Sequence, residues 1–243
     1  MKKKNKNFFV RPSGGIRKDG CLVCHSKLIS DKKKKTNYPV ICSKCKTINR
    51  RIIDNCHYCG SSKSLPWGKP LRDFYAVQCL RCSLVYLKNP LSENMIKYYY
   101  DSYLKNVHSK FKQKKIMRTK MYKIELDYLI SCINNFKKIR NVLDVGCGGG
   151  FFLDLFKKYK KKTYGVEISK DSYLYAKKKH SMYHGEFNQK IKFRKKFDLI
   201  IMRGVIEHVF NPKYYIKLGQ KILKKGGYFF ITATPKLDSI AAD

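Results

Sequence analysis

The chain has 243 residues, enough for one medium domain and one or two small ones. Its 54 lysines and arginines against 17 acids leave a formal net charge of +37. No apolar run approaches the roughly 20 residues that span a bilayer, and the basic start reaches only Phe8-Phe9-Val10 before Arg11-Pro12, which argues against a membrane helix or secretory signal core and predicts a cytoplasmic protein.

The charge does not by itself point to nucleic acid. Of the 54 basic residues 44 are lysine and alanine occurs only five times, the composition of protein from an AT-rich genome. Lysine runs at 2–4, 32–35, 160–162 and 177–179 are spread along the sequence, whereas a dedicated surface more often reads as one stripe mixed with arginine. Nonspecific attraction to polyanions at low salt is expected, and a dedicated nucleic-acid partner is not favoured.

Eight of the ten cysteines precede residue 83, as four C-x-x-C pairs: Cys21/Cys24, Cys42/Cys45, Cys56/Cys59 and Cys79/Cys82. A C-x-x-C turn presents two thiolates on one side of a tight loop, and two such loops complete a tetrahedral four-sulfur site of the kind that selects zinc. Pairing in order predicts one zinc site from Cys21, Cys24, Cys42 and Cys45, and a second from Cys56, Cys59, Cys79 and Cys82. Structural disulfides do not suit a chain without an export signal, and a redox motif would be a single pair beside a strand-helix unit. A site with four sulfur ligands has no open position for substrate, so both modules are expected to be structural or recognition elements. His25 and His57, each beside a ribbon cysteine, read as solvated loop residues. The predicted organisation is a first zinc-ribbon-like module with a basic tail at 1–50, a second ribbon at 51–90 and an α/β domain at 91–243.

Met117, Met121, Ile124, Tyr128 and Cys132 recur at helical spacing and predict a helix packed by that face, running to about residue 138. Next, 141–145 is an apolar strand that ends in the glycine-rich turn Gly146-Cys147-Gly148-Gly149-Gly150, and 151–158 continues as a helix. This is the first strand-loop-helix of a nucleotide-binding α/β sheet, in which ligands bind at the carboxyl ends of the strands. The G-x-G-x-x-G dinucleotide pattern fails because Phe151 occupies its last position, and no G-K-S/T follows for a P-loop. Instead Asp144 precedes the first glycine by two residues; a carboxylate there would repel a diphosphate but suits a cationic amino group. The second strand, 162–169, carries Glu167, 23 residues after Asp144, where an acid can accept from both ribose hydroxyls. Cys147 in the turn reads as a small packing residue, as does Cys132.

Farther on, 196–202 reads as another buried strand. Asn211-Pro212 is a helix start as N-cap and first-turn proline; Tyr215, Leu218 and Ile222 form that helix's apolar face, and Gly226 is its predicted stop. Residues 227–233 read as the next strand. The alternation predicts a doubly wound sheet.

The set V-L-D-V-G-C-G-G-G at 142–150, Y-G-V-E-I-S at 164–169, F-D-L-I-I-M-R-G-V-I-E-H-V at 197–209 and L-K-K-G-G-Y-F-F-I-T at 223–232 resembles successive motifs of class I S-adenosylmethionine-dependent methyltransferases. C-H-Y-C-G at 56–60, the stretch 77–90 and the tyrosines that follow are similar to the zinc-ribbon lead-in of a bacterial subgroup linked to sugars, cell-surface polysaccharides and other small molecules. The resemblance implies S-adenosylmethionine as cofactor. Asp144, Gly146 and Gly148 would shape the pocket for its methionine end, Glu167 would hold the ribose, Ile168 would pack on adenine, and Glu186, after a short third strand at 182–185, would lie near the adenine amino group. Arg203 and Gly204 would end the fourth strand facing the sulfonium, and Tyr99 and Tyr103 would cover the cofactor. In related O-methyltransferases an E-H pair after the fourth strand can serve as base or metal ligand, which makes Glu207 and His208 the catalytic candidates; the alternative is that they cap or brace the local helix. The family's sheet is Rossmann-like, mostly parallel and seven-stranded. A sequence stopping at Asp243 would therefore keep five parallel strands in the order 3-2-1-4-5 and lack the final hairpin, an expected truncation. The implied function is methyl transfer to a small-molecule or sugar acceptor. The rival readings are an RNA or protein methyltransferase that uses its ribbons to hold a macromolecule, and an inactive zinc-ribbon binding protein.

Overall fold

The computed structural model describes residues 52–71, 74–92, 96 and 111–234, with side chains of the long helix described from 118 onward. The chain divides into two compact units, Met1–Ile96 and Lys97–Asp243. Cys21, Cys24, Cys42 and Cys45, and with them the first expected ribbon, lie outside the described residues, as do Tyr99 and Tyr103.

In the first unit, β1 (Ser64–Leu71), β2 (Phe74–Cys79) and β3 (Val85–Leu87) form a three-stranded antiparallel sheet in sequence order. Two turns of the same design carry its cysteines. Gly60 N–H donates to the Cys56 carbonyl and Ser83 N–H to the Cys79 carbonyl, each at 2.9 Å. In both, the residue four beyond the first cysteine has positive φ, +77° at Gly60 and +60° at Ser83.

The second unit is built on a five-stranded parallel sheet of β4 (Asn141–Val145), β5 (Lys162–Glu167), β6 (Ser181–His184), β7 (Phe197–Arg203) and β8 (Leu223–Thr232). Its order is β6-β5-β4-β7-β8, the 3-2-1-4-5 order that the family resemblance implies. Alternate residues of the central strands feed two cores. Val142, Leu199 and Ile201 pack with Phe152, Leu153 and Phe156 of α2 (Phe151–Lys157) and with Leu126 and Leu129 of α1 (Phe111–Ser131). Leu143, Ile200 and Met202 pack on the other face with Tyr215 of α4 (Pro212–Ile222). Helix α3 (Lys170–Lys177) joins β5 to β6, and Ser169 caps it. Helices therefore cover both faces of a Rossmann-like sheet, which is why its strands read as continuous apolar runs.

Three expectations need correction. Helix α1 ends at Ser131, a separate 3-10 turn follows at Phe136–Lys138, and the stripe it buries is Tyr122, Leu126 and Leu129. The expected face is turned outward, with Ile124 63% and Tyr128 64% exposed and Cys132 exposed beside them. Both stripes have helical spacing, so periodicity could not choose between them. Helix α4 begins as expected, the Asn211 side chain accepting from Tyr214 N–H at 3.0 Å, but stops at Ile222. The chain turns into β8 at Leu223, opposite Phe197, and Gly226 at φ +73° lies within the strand, where the register with β7 shifts. His57 is half-buried against Tyr86, their ring centroids 6.0 Å apart.

Candidate functional site

The turn after β4 exists because three glycines take backbone angles that other residues rarely adopt: Gly146 (φ +70°), Gly148 (+55°) and Gly150 (+76°). Two also lack room for a side chain. A Cβ on Gly146 would lie 2.6 Å from Val205, and one on Gly150 2.7 Å from the His180 ring. Among the described residues a Cβ on Gly148 would meet nothing within 4 Å, so this glycine opens onto space that they leave free. Cys147 packs against Gly165 of β5 and Met182 of β6, and burial holds its thiol well above the usual range, which suits packing and not nucleophilic attack.

Glu167, at the end of β5, ties the loop to the next turn. Its carboxylate accepts from Gly148 N–H at 2.7 Å and from Ser169 N–H at 2.8 Å. Burial raises its pKa, while the amides of Ser169, Gly148 and Ile168 pull the other way. Ile168 is half-buried between them.

Asp144 sits one strand inward and is fully buried, with Oδ1 lacking a hydrogen-bond partner among the described residues. Burial pushes its pKa up to about 8; Arg203 opposes this and Glu167 adds to it. An unpaired buried carboxylate oxygen is costly unless something donates to it. A donor set of one orphaned acid, one anchored acid and a glycine with open space beside it fits a cationic amino group and a hydroxylated sugar. It does not fit a diphosphate.

Arg203 ends β7, but its guanidinium turns onto α1 instead of outward. Nε donates to Glu125 Oε2 at 2.5 Å and a terminal nitrogen to Oε1 at 2.8 Å, with the guanidinium 4.5 Å from the centre of the Tyr122 ring. Gly204 follows at φ +60°, its N–H donating to Thr232 of β8. Glu186, just after β6, accepts from the Tyr215 hydroxyl at 3.1 Å. The Glu207-His208 pair lies in a turn, not a helix. Glu207 Oε1 and His208 Nε2 are 3.8 Å apart, beyond direct hydrogen bonding, and Thr234 Oγ1 donates to Glu207 Oε2 at 3.2 Å.

The model of a family described as a methyltransferase domain matches residues 96–241. The chain belongs to that methyltransferase-domain family. It is 33% identical over 108 residues to the ubiquinone biosynthesis O-methyltransferase of Pelagibacter ubique (strain HTCC1062), covering 41% of this chain and 45% of that protein. It is 30% identical over 115 residues to the mitochondrial ubiquinone biosynthesis O-methyltransferase of Dictyostelium discoideum, covering 40% of this chain and 36% of that one. The chain thus spans less than half the length of these curated relatives. Among solved structures it is similar to a SAM-dependent methyltransferase from Archaeoglobus fulgidus, with 25% identity, a TM-score of 0.37, and coverage of 44% of this chain and 51% of that one.

Within this methyltransferase domain, the fold gathers Asp144, Gly146, Gly148, Glu167, Ile168, Glu186 and Arg203 at the carboxyl edge of one sheet, with Glu207 and His208 on the turn after β7. Glu125 and Tyr122, which hold Arg203, escaped the sequence reading. Their one signal was a glutamate in a lysine-rich helix, and the apolar stripe chosen there led away from it.

The cysteine cluster lies before the methyltransferase-domain match. The sulfurs of Cys56, Cys59, Cys79 and Cys82 all lie within 4.8 Å of one another, with Cys56–Cys82 at 3.6 Å and Cys59–Cys79 at 3.5 Å. A tetrahedral site with bonds of about 2.3 Å sets its sulfurs about 3.8 Å apart, whereas a disulfide brings them to about 2 Å. Burial raises the Cys79 thiol, but the amides of Cys82 and Arg81 and the neighbouring sulfurs draw it down. At Cys82 the Leu84 amide pulls down while burial and the other three sulfurs push the thiol up, so the two share one proton between them. The donor set suits a thiophilic ion.

Proposed function

We propose that the domain binds S-adenosylmethionine at the carboxyl edge of its sheet and transfers a methyl group to a small-molecule or sugar acceptor. The observation that carries this reading is the buried, unpaired Asp144 oxygen beside the open Gly148. When bound, S-adenosylmethionine supplies an activated methyl group on a sulfonium that is already a good leaving group. Asp144 would accept from the cofactor's amino group, Glu167 from its ribose hydroxyls, and Ile168 and Glu186 would flank the adenine. Arg203 would act through Glu125, its charge balanced before the sulfonium arrives. The relatives' names support an oxygen nucleophile. An acceptor hydroxyl must shed a proton as its oxygen gains the methyl group, and His208, with Glu207 nearby, is the candidate base. The domain's main contribution would be alignment and exclusion of water.

Calorimetric titration of S-adenosylmethionine into the full chain tests the reading. Micromolar binding, about −8 kcal/mol, that drops at least about tenfold in an Asp144→Asn, Glu167→Gln variant is expected. Undiminished affinity in a folded variant would remove both residues from the site.

The four described cysteines would hold a structural zinc ion. Elemental analysis of the purified chain should find zinc, and replacing Cys79 with alanine should lower the zinc content by one ion per chain.

A further inference from the structure

Of the lysine runs that look scattered along the sequence, those at 160–162 and 177–179 converge in space with other basic residues. Because β4 to β8 are parallel, the segments entering them all lie at one edge of the sheet, opposite the glycine loop. Those lead-in segments, 136–140, 157–162, 177–180, 191–196 and 221–225, hold three, five, three, four and three basic residues, and no acid. The segments leaving the strands at the other edge, 146–150, 168–171, 185–188 and 204–211, hold one lysine against three acids. Among the described segments that flank the strands, charge therefore gathers at one pole, the entering edge, and the leaving edge is near neutral.

Helix energetics explain a minority of this. Lys157, Lys177 and Lys221 occupy the last turns of α2, α3 and α4, where a cation complements the helix dipole. Lys161, Lys179, Lys195 and Lys224 have partners in the Phe136 carbonyl, Asp154, the Tyr164 hydroxyl and Asp198. The other basic residues of these segments, Lys158, Lys160 and Lys178 among them, are exposed. Gathering like charges costs self-repulsion that an opposite surface would relieve.

We propose that this pole is a docking face for an anionic lipid surface, which would leave the cofactor edge turned toward water. Composition favours lipid over RNA. Of these residues only Arg140 and Arg194 are arginine, so the face offers hydrated point charges and few planar forks for bidentate phosphate recognition. Lysines near a leaflet each add attraction without needing a defined partner geometry. Within the five lead-in segments Tyr159 is the one large hydrophobic side chain that is exposed, at 44%, between Lys158 and Lys160. A single tyrosine suits the interface of a bilayer, where its ring and hydroxyl meet different media. Single-stranded RNA would call for a series of stacking platforms.

The test is co-sedimentation of the full chain with phosphatidylcholine vesicles, with and without phosphatidylglycerol at about one lipid in three. Binding only to the anionic vesicles, lost in high salt, is expected. Lys158→Gln, Lys160→Gln, Lys178→Gln should weaken it by about tenfold or more. Neutralising Lys120, Lys123 and Lys217 on the helix sides should change it far less, and Tyr159→Ala should weaken it with the salt dependence preserved. Circular dichroism checks that each variant is folded. No vesicle binding, or equal losses in the two triple variants, would overturn the proposal. So would transfer RNA binding at concentrations where anionic vesicles do not bind.

Discussion

Arg203 and Glu125 are 78 residues apart in sequence and form a two-pronged ion pair across the gap between β7 and α1. Both side chains are mostly buried, 18% and 19% exposed, and Asp144 lies within electrostatic reach of the guanidinium. The pair thereby anchors the long helix to the end of the strand next to the cofactor edge and balances a charge that would otherwise oppose a sulfonium.

Glu125→Gln should therefore do two things. It should destabilise the domain by about 2–3 kcal/mol, a loss at or below that expected for a broken buried pair. It should also weaken binding of S-adenosylmethionine more than that of S-adenosylhomocysteine, whose sulfur is neutral, because the uncompensated Arg203 repels only the cation. Parallel calorimetric titrations check the difference; equal losses would assign Glu125 to stability alone.

Asp144 sets a pH dependence. Its folded pKa, about 8, stands above that of an unfolded aspartate, so the native state binds more protons than the unfolded one between about pH 4 and 8. Its contribution to stability is full below about pH 4 and declines as pH rises to about 8. Asp144→Asn should remove that decline, which melting curves across the range would reveal. Cofactor binding near neutral pH should release up to about one proton as Asp144 ionises, read from the dependence of the binding heat on buffer.

His180 acts in the opposite sense. Its side chain is enclosed, with Nδ1 2.8 Å from the Thr163 hydroxyl, Nε2 3.3 Å from Asp154, and the ring against Gly150 of the glycine loop. Burial is the largest influence on its pKa and lowers it. The fold therefore favours the neutral ring, and stability should fall as pH drops through the unfolded value of about 6.5 toward the lower folded value. His180→Gln should flatten this acid limb in melting experiments.

The glycines of the loop should separate stability from binding. Gly146→Ala meets both a left-handed backbone and Val205, so it should unfold more readily than the wild type by well over about 1–2 kcal/mol. Gly148→Ala meets only the backbone penalty, about 1–2 kcal/mol, and should stay folded at room temperature while losing cofactor affinity. Thermal melts alongside titrations distinguish them.

Much of this domain was legible because its signals are local. A positive-φ glycine turn, an Asn-Pro helix start and apolar runs of strand length each involve a few neighbouring residues, and together they predicted a doubly wound sheet and the edge where Asp144 and Glu167 meet. Helix α1 resisted the same treatment. Two apolar stripes share its surface, and only the position of α2 and the sheet decides that Leu126 and Leu129 go inward while Ile124 and Tyr128 stay out.

The sequence by itself determined the strand and turn chemistry, the carboxylates at the two strand ends and the paired cysteines. The tertiary structure alone decided that Glu125 holds Arg203, that His180 backs the glycine loop, and that lysines from five separate segments share one pole. The physical reason is range. Backbone angles and side-chain periodicity are set within a turn or two, whereas a charge or a ring finds its partner only once a parallel sheet has brought distant segments to the same edge.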